Sequence, residues 1–194
     1  MMKVTVISAT EKPVDVIGLA AGTCYGKFDV SPKRVERCFE SGHLSVFEHS
    51  HVTFRIEGIS RSCMAQLTRH RHVSFCIESQ RYCRIDTDSN DWYVTPPEIE
   101  HMNKLWFDAK MNDAAEAYNA ALAEGIKPED ARYLLPEATK TNLVMTVNVR
   151  ELFHIFDMRM AKSAQWEIQG LARALHAEAS GINDQWAWLM GLYA

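Results

Sequence analysis

Apolar and polar positions at the start of the chain predict two strands and two helices. Residues 3–9 and 52–58 alternate between apolar and polar side chains, which is typical of half-buried strands. A proline at position 13 is predicted to begin a helical segment that runs to residue 21. The Ser-Pro pair at residues 31–32 is a typical helix start, with a serine cap, and this helix is predicted to end at residue 41, before a glycine.

The next part of the chain is predicted to hold one short helix and two short strands. Ser60 is a suitable cap for a helix that continues to a cluster of arginine and histidine side chains. Residues 78–85 and 92–94 favour strands, and a Pro-Pro pair ends this region.

A long amphipathic helix is predicted over residues 98–125, closed by a glycine at its C-terminal end. Four residues are expected to contribute to its apolar side: Leu105, Met111, Tyr118 and Leu122. A short helix within 127–136, a strand over 139–149 and helices over 150–160 and 164–180 follow. This mixture lacks regular βαβ alternation. It therefore predicts an α+β fold, one domain over residues 1–194, with a mixed or antiparallel sheet packed against several helices that include a long central helix.

Composition limits the classes of function that fit the chain. The hydrophobic fraction of 47% and the charged fraction of 24% are typical of a globular protein. A net charge of -4 disfavours a general nucleic-acid-binding surface. Five scattered cysteines favour reduced thiols, and no segment resembles a signal peptide or a membrane span. We therefore expect a cytoplasmic protein.

The densest polar segment comprises Arg69, His70, Arg71 and His72, with Gln66 one helical turn earlier. Guanidinium groups and an amide in this spacing suit a ligand that carries a phosphate and a base edge. A solvated basic helix end that complements the helix dipole has the same pattern. The residues alone leave both interpretations open.

The pattern Arg69-His70-Arg71, seven residues and then Ser79 resembles the signature of flavin-dependent thymidylate synthases. The segment GHLSVFEH at residues 42–49 resembles another block of that family. Further blocks are an Asn-x-Arg followed by a later arginine in the strand-to-helix passage near residue 150, and Arg132 ahead of a Leu-Leu-Pro segment. The blocks stand in the family's order.

The resemblance implies an FAD-dependent methyltransferase that converts dUMP to dTMP. The carbon donor would be 5,10-methylenetetrahydrofolate, and NADPH would be the reductant that acts through bound FAD. Relatives are homotetramers with shared active sites, so residues of one site need not converge within one chain. Neither a nucleic-acid partner nor a membrane is implied.

The resemblance also assigns site residues. Those implied to bind dUMP are Gln66, Arg69, Glu78, Ser79, Gln80, Arg81, Arg132 and Arg159. Those implied to bind FAD are His43, Ser45, Arg69, His70, Arg71, Asn148, Arg150 and His154. Ser79 is interpreted as a ligand, because a serine nucleophile needs a base and the sequence places no histidine beside it. His43 could instead be a capping or core histidine.

Arg159 is the predicted catalytic residue. Helical spacing places it on the side of Leu152, Ile155 and Phe156 and opposite His154. An arginine in an apolar stripe needs an anionic or polar partner, which a structural ion pair would also satisfy. The resemblance makes Arg159 the group that contacts the uracil ring and favours ionised N3, so that C5 becomes a better nucleophile.

Two competing interpretations concern the same histidines and arginines. The pairs His49/His51 and His70/His72 could chelate a metal, but neither has a third ligand placed by the sequence, so we predict no metal site. Ile77 occupies a position that is usually polar in the family, which makes a non-catalytic nucleotide- or flavin-binding relative the main alternative. An RNA-binding module is a more distant one, and the acidic charge disfavours it.

Overall fold

The computed structural model describes residues 2–89 and 91–193. Within these residues the chain forms two compact units. The first unit comprises Gly58–Gln66 and Ile77–Asn142. The second comprises Met2–Glu57, Leu67–Cys76 and the chain from Leu143 onward.

The described residues form one sheet of four strands in the order β1-β2-β4-β3. Its strands are β1 (Lys3–Ala9), β2 (His51–Ser60), β3 (Val73–Ile77) and β4 (Lys140–Asn148). Strand β1 runs antiparallel to β2, with a register shift between Val6 and Ser8. Strands β2 and β4 are also antiparallel, because Thr53 bonds to Thr146 whereas Gly58, further along β2, bonds to the earlier Asn142. With the helices, this sheet confirms the predicted α+β class.

The helices of the described residues follow the sequence patterns closely in most places. They are α1 (Pro13–Thr23), α2 (Pro32–Glu40), α3 (Arg61–Leu67), α4 (Pro97–Ala123), α5 (Pro128–Ala131), α6 (Val149–Arg159), α7 (Trp166–Ser180) and α8 (Asp184–Gly191). Two 3₁₀ helices, Leu44–His49 and Arg132–Leu134, lie between them. The long helix is confirmed as α4. None of the helices in the described part of the chain is long and apolar enough to cross a bilayer.

Side-chain caps begin several of these helices. The Ser60 hydroxyl accepts a hydrogen bond from Cys63 N at 3.0 Å, which confirms the predicted cap of α3. Asn148 caps α6 in the same way by accepting from Glu151 N at 2.9 Å. Ser31 stands at the N-cap of α2, but its side chain makes no capping bond, so that prediction was wrong in its chemistry. Helix α8, capped by Asn183, was not predicted.

The predicted strand over residues 78–85 is wrong. Tyr82 N and Cys83 N both donate to Ser79 O, at 3.2 and 2.9 Å, so the chain turns at Ser79 and cannot extend. The strand lies earlier, at Val73–Ile77. The predicted strand over residues 92–94 is reduced to a single bridge between Tyr93 and Thr139.

Helix α4 belongs to the first unit and buries one of its sides there. Phe107 and Met111 pack in a cluster with Trp92, and Tyr118 is 1% exposed in a neighbouring cluster. Leu105 is 84% exposed, contrary to the prediction. It precedes Phe107 by two residues, which places it about 200° around the helix from the buried side.

The second unit has a large aromatic and aliphatic core. Phe47, Phe156 and Trp186 are each fully buried. The Phe47 ring lies 5.8 Å from that of Phe153 on α6. This packing fixes the inner side of α6 and leaves two of its polar residues, Arg150 and His154, exposed at the surface.

Candidate functional site

The signature segment follows α3 directly and places its three residues differently. His70 N donates to Leu67 O at 3.1 Å, so the chain turns as the helix ends. This turn buries the His70 side chain, which is only 5% exposed as a residue, whereas Arg69 and Arg71 on either side are exposed. The segment therefore combines one internal imidazole with two guanidinium groups that face solvent.

His70 lies between an acid and the predicted catalytic arginine. Its Nδ1 is 3.2 Å from Glu151 Oε1, and its Nε2 accepts a hydrogen bond from Arg159 Nε at 3.0 Å. Because Nε2 accepts, the proton of the neutral ring sits on Nδ1 and is donated to Glu151. His70 of the signature segment therefore contacts Arg159, the last residue of α6.

The environment keeps His70 neutral. Burial, and next the nearby positive charge of Arg159, lower the pKa of His70, although the hydrogen bond from the ring to Glu151 acts in the opposite direction. A neutral ring is also the only form that can accept the Arg159 bond.

His70, Glu151 and His154 offer potential metal-ligand atoms within 4.8 Å of one another. However, both nitrogens of His70 already have partners, and one of these is the cationic group of Arg159. A metal ion would have to displace that guanidinium. The absence of a metal site stays a prediction.

The N-terminal half of α6 borders a cavity of about 460 Å³, called here the α6 cavity. Its lining includes three residues of the predicted FAD set: Asn148, Arg150 and His154. Ser45 is exposed on the adjacent 3₁₀ helix but does not line this cavity, and neither do Arg69 and Arg71.

The donors of the α6 cavity fit the anionic part of a flavin nucleotide. Arg150 is paired with Glu48 at 2.5 Å, in a contact where the two side chains are 51% and 46% exposed. Such exposed pairs contribute about 1 kcal/mol at most, so a pyrophosphate can replace Glu48 as the partner of Arg150. The other acids of the lining, Glu151 and Asp157, already accept from His70 and Tyr193.

The first unit contains a separate cavity of about 440 Å³, called here the Arg132 cavity. Two residues of the predicted dUMP set, Gln80 and Arg132, line it together with Arg61 and Tyr133. Arg132 is held in place by a bond from its Nε to Glu129 O at 3.0 Å. Two guanidinium groups and an amide therefore face one cavity.

Arg61 lines the Arg132 cavity and was not singled out by the sequence analysis. Its Nη2 donates to Glu78 O at 3.0 Å, while its buried Nε has no hydrogen-bond partner among the described residues. Burial lowers the pKa of Arg61. A buried donor without a partner is costly, which favours a ligand or water at this point of the Arg132 cavity. The signal in the sequence was an arginine in the first turn of α3, where a cation opposes the helix dipole.

The other predicted dUMP residues are engaged elsewhere in their own units. Arg81 forms an ion pair with Glu129 at 2.8 Å, and Glu78 accepts from Asn142 Nδ2 at 2.7 Å. Ser79 Oγ accepts from the backbone nitrogen of Arg81 at 3.2 Å. Gln66 Nε2 lies 3.4 Å from Ser62 O.

The predicted sets are thus distributed between the two units. Gln66, Glu78, Ser79, Gln80, Arg81 and Arg132 belong to the first unit. The second unit holds the whole predicted FAD set, including Arg69, together with Arg159. Within that unit His43 lines a third cavity, of about 640 Å³.

Cavities lined by guanidinium, imidazole and amide groups on an α+β framework are chemically suited to anionic, nucleotide-like ligands. Comparison with known proteins gives the particular family. Residues 5–182 match the family described as thymidylate synthase complementing protein. The chain is 35% identical to the flavin-dependent thymidylate synthase of Haloarcula marismortui, covering 90% of this chain and 89% of the relative. It is 37% identical to that of Geobacter sulfurreducens, covering 93% and 83%.

The chain therefore belongs to the flavin-dependent thymidylate synthase family, and the resemblance carried by its signature is confirmed. The fold agrees. A flavin-dependent thymidylate synthase from Helicobacter pylori, solved in complex with FAD and dUMP, superimposes with a TM-score of 0.78 at 28% identity, covering 91% of this chain and 93% of the other.

Proposed function

We propose that this protein converts dUMP to dTMP by reductive methylation, with 5,10-methylenetetrahydrofolate as carbon donor and NADPH as reductant. The observation that carries the proposal is the contact between Arg159 and the buried His70 of the signature segment. It gives the protein a cation with a fixed position, which is what the activation of a pyrimidine ring requires.

Arg159 is the proposed catalytic residue. His70 accepts a hydrogen bond from Arg159 Nε at 3.0 Å, which restrains the orientation of the guanidinium. A fixed planar cation that contacts the uracil favours ionisation of N3, which increases the electron density at C5. Because the donor is oriented before the substrate binds, little reorganisation is needed as negative charge develops on the ring.

The second unit would hold FAD, and bound FAD would transfer reducing equivalents from NADPH to the carbon delivered to dUMP. Arg150, His154 and Asn148 of the α6 cavity would bind it. Arg69 and Arg71 are exposed and available to its pyrophosphate. His70 would contact the cofactor or orient the groups around it, and Ser45 and His43 would complete the set.

The first unit would hold the phosphate and sugar of dUMP. Gln80, Arg132 and Arg61 face one cavity, and Arg61 contributes a buried donor without a partner among the described residues. Ser79 would act as a ligand, since its hydroxyl accepts from a backbone nitrogen and has its own proton free to donate. The remaining members of the set are Gln66, Glu78 and Arg81 of the first unit and Arg69 and Arg159 of the second.

The predicted site residues come from distant segments of a small chain, and this supports an active site that is shared between subunits. We propose a homotetramer in which different subunits contribute to one active site, working in the cytoplasm. Light scattering at micromolar concentration should give a mass four times that of the chain, and an active monomer would contradict the proposal.

Flavin identification and product analysis test the proposed function together. The purified protein should release FAD on denaturation, and it should form dTMP from dUMP only when NADPH and methylenetetrahydrofolate are both present. Release of FMN, or failure to take up supplied FAD, would contradict the cofactor assignment. A flavin-loaded protein that forms no dTMP would favour the non-catalytic relative instead.

A further inference from the structure

The cavity of the second unit that His43 lines is separate from the α6 cavity and the Arg132 cavity. His43 is its only lining residue that belongs to a predicted site. Its volume is about 640 Å³, and its lining includes Lys27, Arg34, Arg37, His43 and Tyr25. No carboxylate contributes to the lining. This region, called here the basic cavity, therefore has a positive potential that favours an anionic occupant.

Arg34 has a structural part in the wall of the basic cavity. Its Nη1 donates to Gly18 O at 3.1 Å and to Asp29 O at 3.0 Å, and its Nη2 forms an ion pair with the Asp29 carboxylate at 3.1 Å. The hydrogen bond to Arg34 is the main reason that the pKa of Asp29 is lowered. The Asp29 carboxylate is thus paired mainly with Arg34, and the charge of Lys27 makes a smaller contribution to the same lowering of the Asp29 pKa.

Lys27 and Arg37 have no ion pair within residues 2–89 and 91–193. Both are exposed, yet their backbones are well fixed. Lys27 N donates to Gly22 O at 3.0 Å after a turn in which Gly26 has a φ of 62°. Arg37 lies in the last turn of α2, one turn after Arg34. Two exposed cations that form no ion pair among the described residues therefore line one cavity.

The backbone of α1 at Gly22 lies very close to Lys27 and Arg34 in the wall of the basic cavity. A Cβ atom at Gly22 would lie 2.4 Å from Lys27 O and 2.5 Å from Arg34 Nη1. Only glycine allows the loop and the Arg34 side chain to come this near to α1.

We propose that the basic cavity binds the anionic end of a co-substrate, through Lys27 and Arg37. This inference rests on the proposed function, because the shared lining residue, His43, belongs to the FAD set. Both remaining co-substrates carry an anionic group far from their reacting atoms. NADPH carries a 2′-phosphate, and the folate carries glutamate carboxylates. A remote anchor of this kind converts binding energy into correct placement of the reacting end.

The test uses FAD-loaded enzyme with Lys27→Ala, Arg37→Ala and both changes together. Lys33→Ala is the matched control, because it removes one positive charge from α2 at a residue that does not line the cavity. We expect KM for one co-substrate to rise about threefold to tenfold per variant, as loss of an exposed charge-assisted contact implies. The kcat value should change little, and Arg37→Lys should restore most of the affinity because it keeps the charge.

Analogues of the two co-substrates distinguish binding of the NADPH 2′-phosphate from binding of the folate carboxylates. If the 2′-phosphate is bound, KM for NADPH rises while KM for NADH stays constant. If the carboxylates are bound, KM rises more for polyglutamylated methylenetetrahydrofolate than for the monoglutamate. Unchanged KM values for both co-substrates would overturn the proposal, as would loss of FAD without a change in either KM. Inactive wild-type enzyme would count against the proposed function, whereas active wild type with unaffected variants would count against the basic cavity alone.

Discussion

Replacing Arg159 with lysine tests the proposed catalytic residue most directly. Lysine keeps the positive charge but loses the planar group whose Nε donates to His70 at 3.0 Å. The proposed role requires a donor fixed before the substrate arrives, and a flexible ammonium group does not provide one. Loss of one preorganised charge-stabilising donor reduces kcat by about 10²- to 10³-fold, so we expect dTMP formation to fall by that factor.

The structure also limits the effect of Arg159→Lys on stability. The change leaves Nε2 of a ring that is 5% exposed without its guanidinium donor. An unsatisfied buried acceptor costs about 1–3 kcal/mol, and the lysine ammonium can recover part of that by donating to the same nitrogen. The variant should therefore fold and retain FAD.

Flavin reduction by NADPH and dTMP formation are measured separately on the same FAD-loaded variant. Flavin reduction should survive, because it does not need an ionised pyrimidine. Arg173→Lys, an exposed residue of α7 bonded to Gln169, is the matched control and should leave both reactions unchanged. Near-normal dTMP formation by Arg159→Lys would refute the assignment. Equal damage to both reactions together with flavin loss would indicate a structural ion pair instead.

Three further outcomes follow from burial and close contacts. Burial lowers the pKa of His70 in the folded protein, so the unfolded chain binds more protons than the folded one as pH falls below about 6.5. The free energy of unfolding, measured by urea titration, should therefore decrease from pH 7.5 to 5.5. If His70→Asn shows the same pH dependence, the effect belongs to another group. Phe47→Ala removes a fully buried ring and should lower the free energy of unfolding by about 3–5 kcal/mol in the same assay; a loss below about 1 kcal/mol would contradict the core packing. Gly22→Ala introduces a Cβ against Lys27 O, so it should lower the melting temperature measured by calorimetry and raise the KM of the co-substrate bound by the basic cavity; an unchanged melting temperature would show that the loop moves without cost.

Local patterns in the sequence were sufficient for most elements of the fold. Strand β1 was predicted with its observed bounds, since alternation with period two is a property of neighbouring residues alone. The position of α6 was predicted to within one residue at each end, from an apolar stripe through Phe156. The signature identified the family in the same way, because Arg69, His70 and Arg71 are contiguous.

The wrong prediction of a strand over residues 78–85 has a different physical cause. Residues 78–85 and the observed strand Val73–Ile77 both contain β-favouring side chains. Which of them extends depends on pairing with other strands and on the turn at Ser79, where two backbone nitrogens donate to one carbonyl oxygen. Strand propensity is weak compared with such tertiary pairing.

What only the tertiary structure decided is how the predicted residues are held. His70 meets Glu151, 81 residues away, and Arg159, 89 residues away. The sequence indicated that Arg159 needed a polar partner but not that the partner was the signature histidine. It gave no role to Glu151 and none to Arg61. Hydrogen-bond partners in a buried site are chosen by the packing that brings distant segments together. The residues of one segment specify which polar groups it contains. The hydrogen-bond partners of those groups depend on the complete fold.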